Sequence, residues 1–558
     1  MISVNKIWQH ENISDEICET FEKFLSDKFI SANGCIVGRI GGELVAYDDV
    51  CDHNAGTLIL DSSGKTATCP RHKWTVNLEN STYENGCRKD RLKVEECDGS
   101  IKIYKKKYQF PKIDKSTLVA SPLNFVFNAH ASVSVSVEDI SIITDPWFIG
   151  SCFATGWWHA YPPSESAVQR LVDADLIFIS HNHPDHLHLP TLQAFVDKNK
   201  KFLIPNFKSK SVENILRAAG YNNLIIAEFL EEIEITSDSC VIKVMLIKSG
   251  DERDDSSLLI FTKNQTILFG VDTNMPNQWI LPNVDLVFTP FAGGASGFPS
   301  RIDNFADEKK VEISNANRND TLVNHVRKLL AVTSARYVVP YAGFFSEAGR
   351  DIDVKLINRK NSVVDVVNYL NAVMPNIICI DPITHNSFSM SNKALILNDE
   401  DIGNPLYFID DEYIADDIFS YSKDTPALGF SELSALGKAF ICSSFIDSLT
   451  VLILPVDNEF NISSAYGLKL DFSRANRGYE LIEYKNGLIA DVANEYPQNP
   501  NNIEILRIRE DSLRGVIYNG YPLEDLSIGF QIKMFRNPNV YNFKFWDYFT
   551  NHQILKIS

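Results

Sequence analysis

The chain has 558 residues, 44% of them hydrophobic and 22% charged, and carries a formal net charge of −19. That length suits three or four domains, each with its own core, and so acidic a chain lacks the basic surface that general nucleic-acid binding requires. No apolar run approaches the roughly 20 residues that cross a bilayer, and residues 1–11 lack the charged-then-apolar layout of a secretory signal, so a cytoplasmic protein without a membrane span is expected.

From Ile36 to Ile103 short strands alternate with turns, as in Leu44-Val45-Ala46-Tyr47, the turn Asp61-Ser62-Ser63-Gly64 and the run Thr66-Ala67-Thr68. This predicts a small all-β domain over residues 1–108. Lys105, Lys106 and Lys107, followed by Pro111 and Lys112, read as a polar, helix-breaking linker. Between residues 117 and 397 apolar runs predict buried strands at Leu176 to Ile179, Val241 to Ile247, Thr266 to Val271, Leu286 to Phe288 and Tyr337 to Val339. Helical spacing appears at Ser211 to Ala219, closed by Gly220, at Thr321 to Val332 and at Ser362 to Val373. Strands that feed loops, with helices outside, fit an αββα sandwich. Residues 398–558, with the acidic run Asp410-Asp411-Glu412 near their start, read as an α+β region of unknown role.

Two motifs carry chemistry. In Cys51-Asp52-His53 and Cys69-Pro70-Arg71-His72 each short loop offers one thiolate and one imidazole. A Rieske [2Fe–2S] centre needs this set, two cysteines on one iron and two histidines on the other. The competing reading is a structural zinc site, but zinc-finger spacing groups like ligands together, whereas each loop here mixes them. The loops resemble those of oxygenase-type Rieske domains, with Lys73-Trp74 after the last ligand. Asn54, Ala55, Gly56 and Arg71 stand where respiratory-chain Rieske proteins carry further cysteines. The resemblance therefore implies no bracing disulfide and a lower, oxygenase-like potential.

The second motif, His181-Asn182-His183-Pro184-Asp185-His186, hangs from the end of a predicted buried strand. Two imidazoles suit a first metal, and Asp185 with His186 face a second. His188 falls outside this spacing. His130-Ala131-Ser132-Val133 and Thr144-Asp145-Pro146-Trp147 resemble the entry strands of the metallo-β-lactamase branch that includes ascorbate-6-phosphate lactonase and N-acylphosphatidylethanolamine phospholipase D. By the same resemblance Asp145 supports the site from behind the ligands, and Asp272, at the end of Ile267 to Val271, bridges two metals. Where that fold supplies a third-strand histidine this chain has Gly250-Asp251-Glu252-Arg253-Asp254-Asp255. Asp251 is the nearest replacement by position, with Asp254 or Asp255 as alternatives, and His385 or His325 are the candidates for a last histidine. A site this rich in carboxylate suits one or two non-haem iron ions, with zinc as the alternative.

Further stretches extend the likeness: Gly156-Trp157-Trp158, Phe291 through Pro299, Tyr341-Ala342-Gly343-Phe344, and a tail from Ile528-Gly529-Phe530-Gln531 through Arg536, Pro538, Tyr541, Phe545 and Trp546. In order and layout the chain resembles the CMP-N-acetylneuraminate hydroxylase (monooxygenase) family, a Rieske domain followed by a metallo-β-lactamase-like domain. The resemblance implies O₂-dependent hydroxylation of the N-acetyl methyl of CMP-N-acetylneuraminate or a related nucleotide sugar. Electrons would come from a reductase through a carrier such as cytochrome b5 or ferredoxin. Asp251 departs from the family, which carries a histidine there. Gly293 to Gly297 could bring backbone amides to an anion, with Arg301, Lys309, Lys310 and Arg318 supplying local positive charge. The reading from a different class is a metal-dependent hydrolase, a lactonase or phosphodiesterase, with a redox-sensing Rieske domain.

Overall fold

Long apolar runs with no polar alternation demand cover on both faces, and the chain meets this with two sheets packed face to face under outer helices. The computed structural model describes residues 2–551 except 23–27, 53–56, 71–73, 85, 98, 252, 295–296, 348–353, 355–356, 358, 399–402, 443–445, 447, 465, 474–475 and 484–501. One eight-stranded sheet runs in the order Ser3–Gln9, Glu231–Thr236, Val241–Lys248, Ser256–Phe261, Thr266–Phe269, Leu286–Thr289, Tyr337–Pro340, Ile378–Cys379. The other runs Leu224–Ala227, Lys201–Pro205, Leu176–Phe178, Ile140–Thr144, Ser132–Val137, Leu123–Ala129, Ser387–Ser391, Ala394–Asn398. Aromatic rings join the sheets across the middle. Phe125 stacks on Phe388 at 5.3 Å and lies 5.6 Å from Phe288, which stacks on Phe269 at 4.4 Å.

Helices Glu165–Asp173, Leu189–Phe195 and Ser211–Ala218 cover one outer face through Leu171, Leu192 and Leu216. On the other face lies Val363–Val373, which starts with a capping box in which Ser362 and Asp365 satisfy each other's backbone N–H groups. The helix expected from Thr321 begins as a wider π turn over Thr321–Val326 and becomes α-helical at Arg327–Thr333. Among the described residues no helix is long and apolar enough to cross a membrane.

The N-terminal region is all-β, with sheets of three, three and four short strands. Two sequence expectations fail here. Strand Ser3–Gln9 lies outside this module and pairs antiparallel with Glu231–Thr236 at the edge of the sandwich. Lys105 to Lys107 are not a linker but continue strand Ser100–Gln109, in register with Ile17, Glu16 and Asp15 of Ile13–Glu22. In both cases a partner distant in sequence supplies the ladder that local composition does not announce.

The C-terminal region folds as a five-stranded sheet, Gly478–Glu483, Tyr466–Asp471, Leu449–Val456, Asn502–Arg509, Ile532–Asn537, with helices packed through Leu436, Phe440, Val516 and Phe545. At one of its junctions with the central domain two glycines meet. A Cβ on Gly156 would lie 2.3 Å from the Gly529 Cα, and one on Gly529 only 1.8 Å from the Phe153 carbonyl oxygen. Gly529 has φ −77°, so close approach rather than backbone conformation requires it. Gly529→Ala should therefore loosen this junction and cost about 3 kcal/mol in denaturant unfolding. Gly478→Ala, whose Cβ would meet nothing nearer than 3.8 Å, serves as the tolerated control.

Candidate metal centre

Four strand ends converge at one rim of the sandwich. Strand Leu176–Phe178 delivers the loop His181 to His186, Leu123–Ala129 ends at His130, Thr266–Phe269 runs out to Asp272, and Ser256–Phe261 begins just after Asp255. Two of these turns, and the neighbouring turn after Ile140–Thr144, hold residues in the left-handed region without being glycine: His130 at φ 41°, the β-branched Val271 at φ 49° and Asp145 at φ 36°. Such conformations persist where surrounding contacts enforce them. Val271 N donates to the buried Tyr341 hydroxyl at 2.8 Å, fixing the backbone before Asp272.

The histidines are oriented from behind. The buried Asp145 accepts from Ser180 N and Ser180 Oγ, both at 2.8 Å, and from His186 Nδ1 at 3.1 Å. Because Ser180 Oγ donates to Asp145, it accepts from His181 Nδ1 at 2.9 Å. Both imidazoles thus keep their proton on Nδ1 and turn Nε2 into the site. His183 is reversed: its Nδ1 lies 2.9 Å from His181 Nε2, while its Nε2 lies 3.5 Å from Glu524 of the C-terminal region.

Among the described residues three groups of candidate ligand atoms result, each within 4.8 Å: His181, His183 and Asp255; His181, His186 and Asp272; His130, Asp185 and His186. His181, His183, Asp185, His186 and Asp272 are thus brought together. Asp251 is not: its carboxylate is held by Ser249 Oγ at 2.7 Å, Arg253 Nε at 3.0 Å and Asn274 Nδ2 at 3.1 Å. Asp255 takes the place expected of it, 3.7 Å from His181 Nε2. The cause is a cross-sheet bond, Ser256 Oγ to Ser180 O at 2.7 Å, which fastens the strand start beside Asp255 to the histidine loop. His325 lies buried beside Trp279, and neither it nor His385 joins these groups. His130 fills the corner left for a last histidine. Its signal in the sequence was its position at a strand end, the same signal that marked Asp272. Glu524 carried none.

The donor set fits a cation. His186 Nε2 and Asp185 Oδ1 are buried without a hydrogen-bonding partner among the described residues, and His186 Nε2 sits 3.4 Å from Asp185 Oδ2 and 3.5 Å from Asp272 Oδ2. Burial works to discharge His186, yet Asp185, Asp272 and Asp145 hold its pKa well above the usual range. Burial pushes Asp255 up to about 6 against the pull of Arg253 and His183. Burial opposes charge on His183 as well, but Glu524, Asp255 and Asp185 raise it to about 9. Protons here stand where positive charge is wanted, and a bound metal ion would displace them.

In the N-terminal module Cys51 and Cys69 are buried in a core with Tyr47, Leu58, Trp74 and Tyr83. Cys69 N donates to Trp74 O at 2.8 Å, and the buried Lys89 ammonium joins Asp48 and Val50 O below the first loop. His53 and His72 lie outside the described residues. Gly293 adopts φ 70°, while Ala295 and Ser296 are likewise outside. The cations near that segment do not gather as a patch: Lys309, Lys310 and Arg318 pair with Glu312, Asp307 and Asp365, and Arg301 packs against Phe460 and Phe530.

Residues 19–96 match the Rieske [2Fe-2S] domain family, and residues 124–297 match the Beta-lactamase superfamily domain. The cytidine monophosphate-N-acetylneuraminic acid hydroxylase of Danio rerio is 28% identical over 92% of this chain and 88% of its own length. That of Xenopus laevis is 27% identical over 93% and 89%. Among solved structures CmlA, a diiron beta-hydroxylase from Streptomyces venezuelae, is 17% identical with a TM-score of 0.31, over 50% of this chain and 55% of that one. The chain is an oxidoreductase built of a Rieske [2Fe–2S] domain and a beta-lactamase superfamily domain, related along nearly its whole length to the CMP-N-acetylneuraminic acid hydroxylases.

Proposed function

We propose that the protein is a monooxygenase that hydroxylates the N-acetyl methyl of CMP-N-acetylneuraminate or a closely related nucleotide sugar, using O₂ and electrons relayed through the Rieske cluster. The observation that carries this reading is the union in one chain of a Rieske domain and a buried site with three carboxylates and four imidazoles. Oxygen donors beside imidazoles suit non-haem iron better than a zinc hydrolase centre. A methyl C–H bond is too inert for acid–base attack, and iron at this site would supply the activation of O₂.

The chain's own residues hold and tune that site. His181, His183 and Asp255 would hold one ion and His130, Asp185 and His186 another, while Asp272 groups with His181 and His186. Asp145 keeps both Nε2 lone pairs of His181 and His186 pointed inward, and Glu524 holds the outer nitrogen of His183. Cys51, His53, Cys69 and His72 would hold the cluster, which would supply electrons to the second site. These arrive one at a time from a small carrier such as cytochrome b5 or ferredoxin, and the protein acts in the cytoplasm.

With ¹⁸O₂ and a reducing system, one labelled atom should enter the N-glycolyl product. Label derived from water, or turnover without reductant, would assign the protein to the hydrolases. Asp255→Asn should remove about one equivalent of bound metal, read by metal analysis after anaerobic loading, whereas Asp251→Asn should leave the stoichiometry unchanged; the reverse pattern restores Asp251 as the ligand. His72→Cys should move the reduced cluster's EPR signal toward that of an all-cysteine [2Fe–2S] centre. An unaltered Rieske spectrum removes His72 from the ligand set.

A further inference from the structure

An aromatic chain leads from the metal centre toward the surface. The His130 imidazole meets the Trp147 indole edge to face at 5.4 Å, and Trp147 stacks on His159 at 3.9 Å with 29° between the planes. His159 Nδ1 lies 2.5 Å from the Tyr407 hydroxyl, and Tyr407 stacks on Tyr413 at 5.0 Å with 14° between the rings. Trp147 and His159 are buried, whereas Tyr407 and Tyr413 are only half-buried. The route therefore begins at a candidate ligand and ends at rings that solvent can reach.

The hydrogen bonds set its chemistry. His159 Nε2 lies 2.9 Å from the Trp147 carbonyl oxygen, which can only accept, so Nε2 carries the ring proton. Nδ1 is then a lone pair and accepts the Tyr407 O–H. A phenol loses an electron readily only when its proton can leave in the same event, and a base at this distance takes it. The Trp147 Nε1–H is held by the Gly150 carbonyl at 3.1 Å, so the indole is fixed in line between the two ends.

We propose that Trp147, His159, Tyr407 and Tyr413 form a discharge path, by which an oxidising equivalent left at the metal centre without substrate is passed outward and quenched. This rests on the oxygenase reading above. Trp147 would give one electron toward the centre, and its indole would be refilled by Tyr407, whose phenolic proton moves to His159 Nδ1. The resulting neutral tyrosyl, shared with Tyr413, takes one electron from a solvent thiol or enediol while His159 returns the proton. The net change is one electron from the external reductant to the centre. Substrate hydroxylation does not use the path.

The test uses the full-length protein with both metal sites loaded, reduced, and without substrate. It is exposed to O₂ or, in a parallel arm, to peroxide, then followed by freeze-quench EPR and peptide mass spectrometry. The protein should give a tyrosyl signal that Tyr407→Phe lacks, and the variant should accumulate oxygen adducts on Trp147 and His130 several-fold faster. Tyr413→Phe should keep a tyrosyl signal but decay more slowly when thiol is added. Equal adduct formation in Tyr407→Phe, with O₂ consumed normally, overturns the discharge path and leaves the oxygenase reading standing. A tyrosyl signal with peroxide but no reaction with O₂ upholds the path and overturns the oxygenase reading. No signal with either oxidant overturns the path.

Discussion

The candidate metal centre depends on one buried carboxylate that lies behind its histidines. Asp145 binds the Ser180 amide, the Ser180 hydroxyl and His186 Nδ1 at once, and so joins the turn after Ile140–Thr144 to the head of the histidine loop. The two strands it follows and faces, Ile140–Thr144 and Leu176–Phe178, are parallel neighbours, and Asp145 N donates to Phe178 O at 2.9 Å. A charge with almost no exposure is tolerable because donors surround it. Since the same carboxylate determines which nitrogen of His186, and through Ser180 of His181, keeps its proton, the direction of these two Nε2 lone pairs is a property of the scaffold.

Around that anchor the electrostatics are unusual for a site of imidazoles. Asp185, Asp255 and Asp272 face His130, His181, His183 and His186, and Arg253 bridges Asp251 and Asp255 from the rim while donating to the Asp272 carbonyl. Crowding carboxylates at low exposure is costly without a cation. The strain in the backbone at His130, Asp145 and Val271 belongs to the same arrangement, since each of these turns aims a side chain at the centre or at what supports it.

The C-terminal region reaches the candidate centre as well as packing beside it. Helix Glu524–Ile528 brings Glu524 to His183, and the residue that follows it, Gly529, meets Gly156 and Phe153 with no room for a side chain. Phe153 in turn lies 5.7 Å from the His183 ring. Helix Asp411–Ser422 grips the opposite side of the same loop, through Tyr413 to Gly150 N and Asp417 to Ser151 N. The loop that carries Trp147 is thereby clamped between two C-terminal helices.

Much of this was legible in residues close together in sequence. Three histidines and an aspartate within six positions after an apolar run announce a metal loop, because a strand end can hold ligands rigidly. Mixed Cys/His loops announce a Rieske cluster, because the two irons need different donors. The alternating strands and helices of the sandwich followed from periodicity. What only the tertiary structure decided was which distant groups complete the site. Asp251 and Asp255 are equally available along the chain, and the choice between them lies in the Ser256 to Ser180 bond and in Arg253 drawing Asp251 aside. Glu524 and the edge strand Ser3–Gln9 were equally hidden. The physical reason is common to all three: local pattern specifies which face of an element is apolar, whereas the direction of a loop side chain and the partner of an edge strand are set by contacts between segments far apart in sequence.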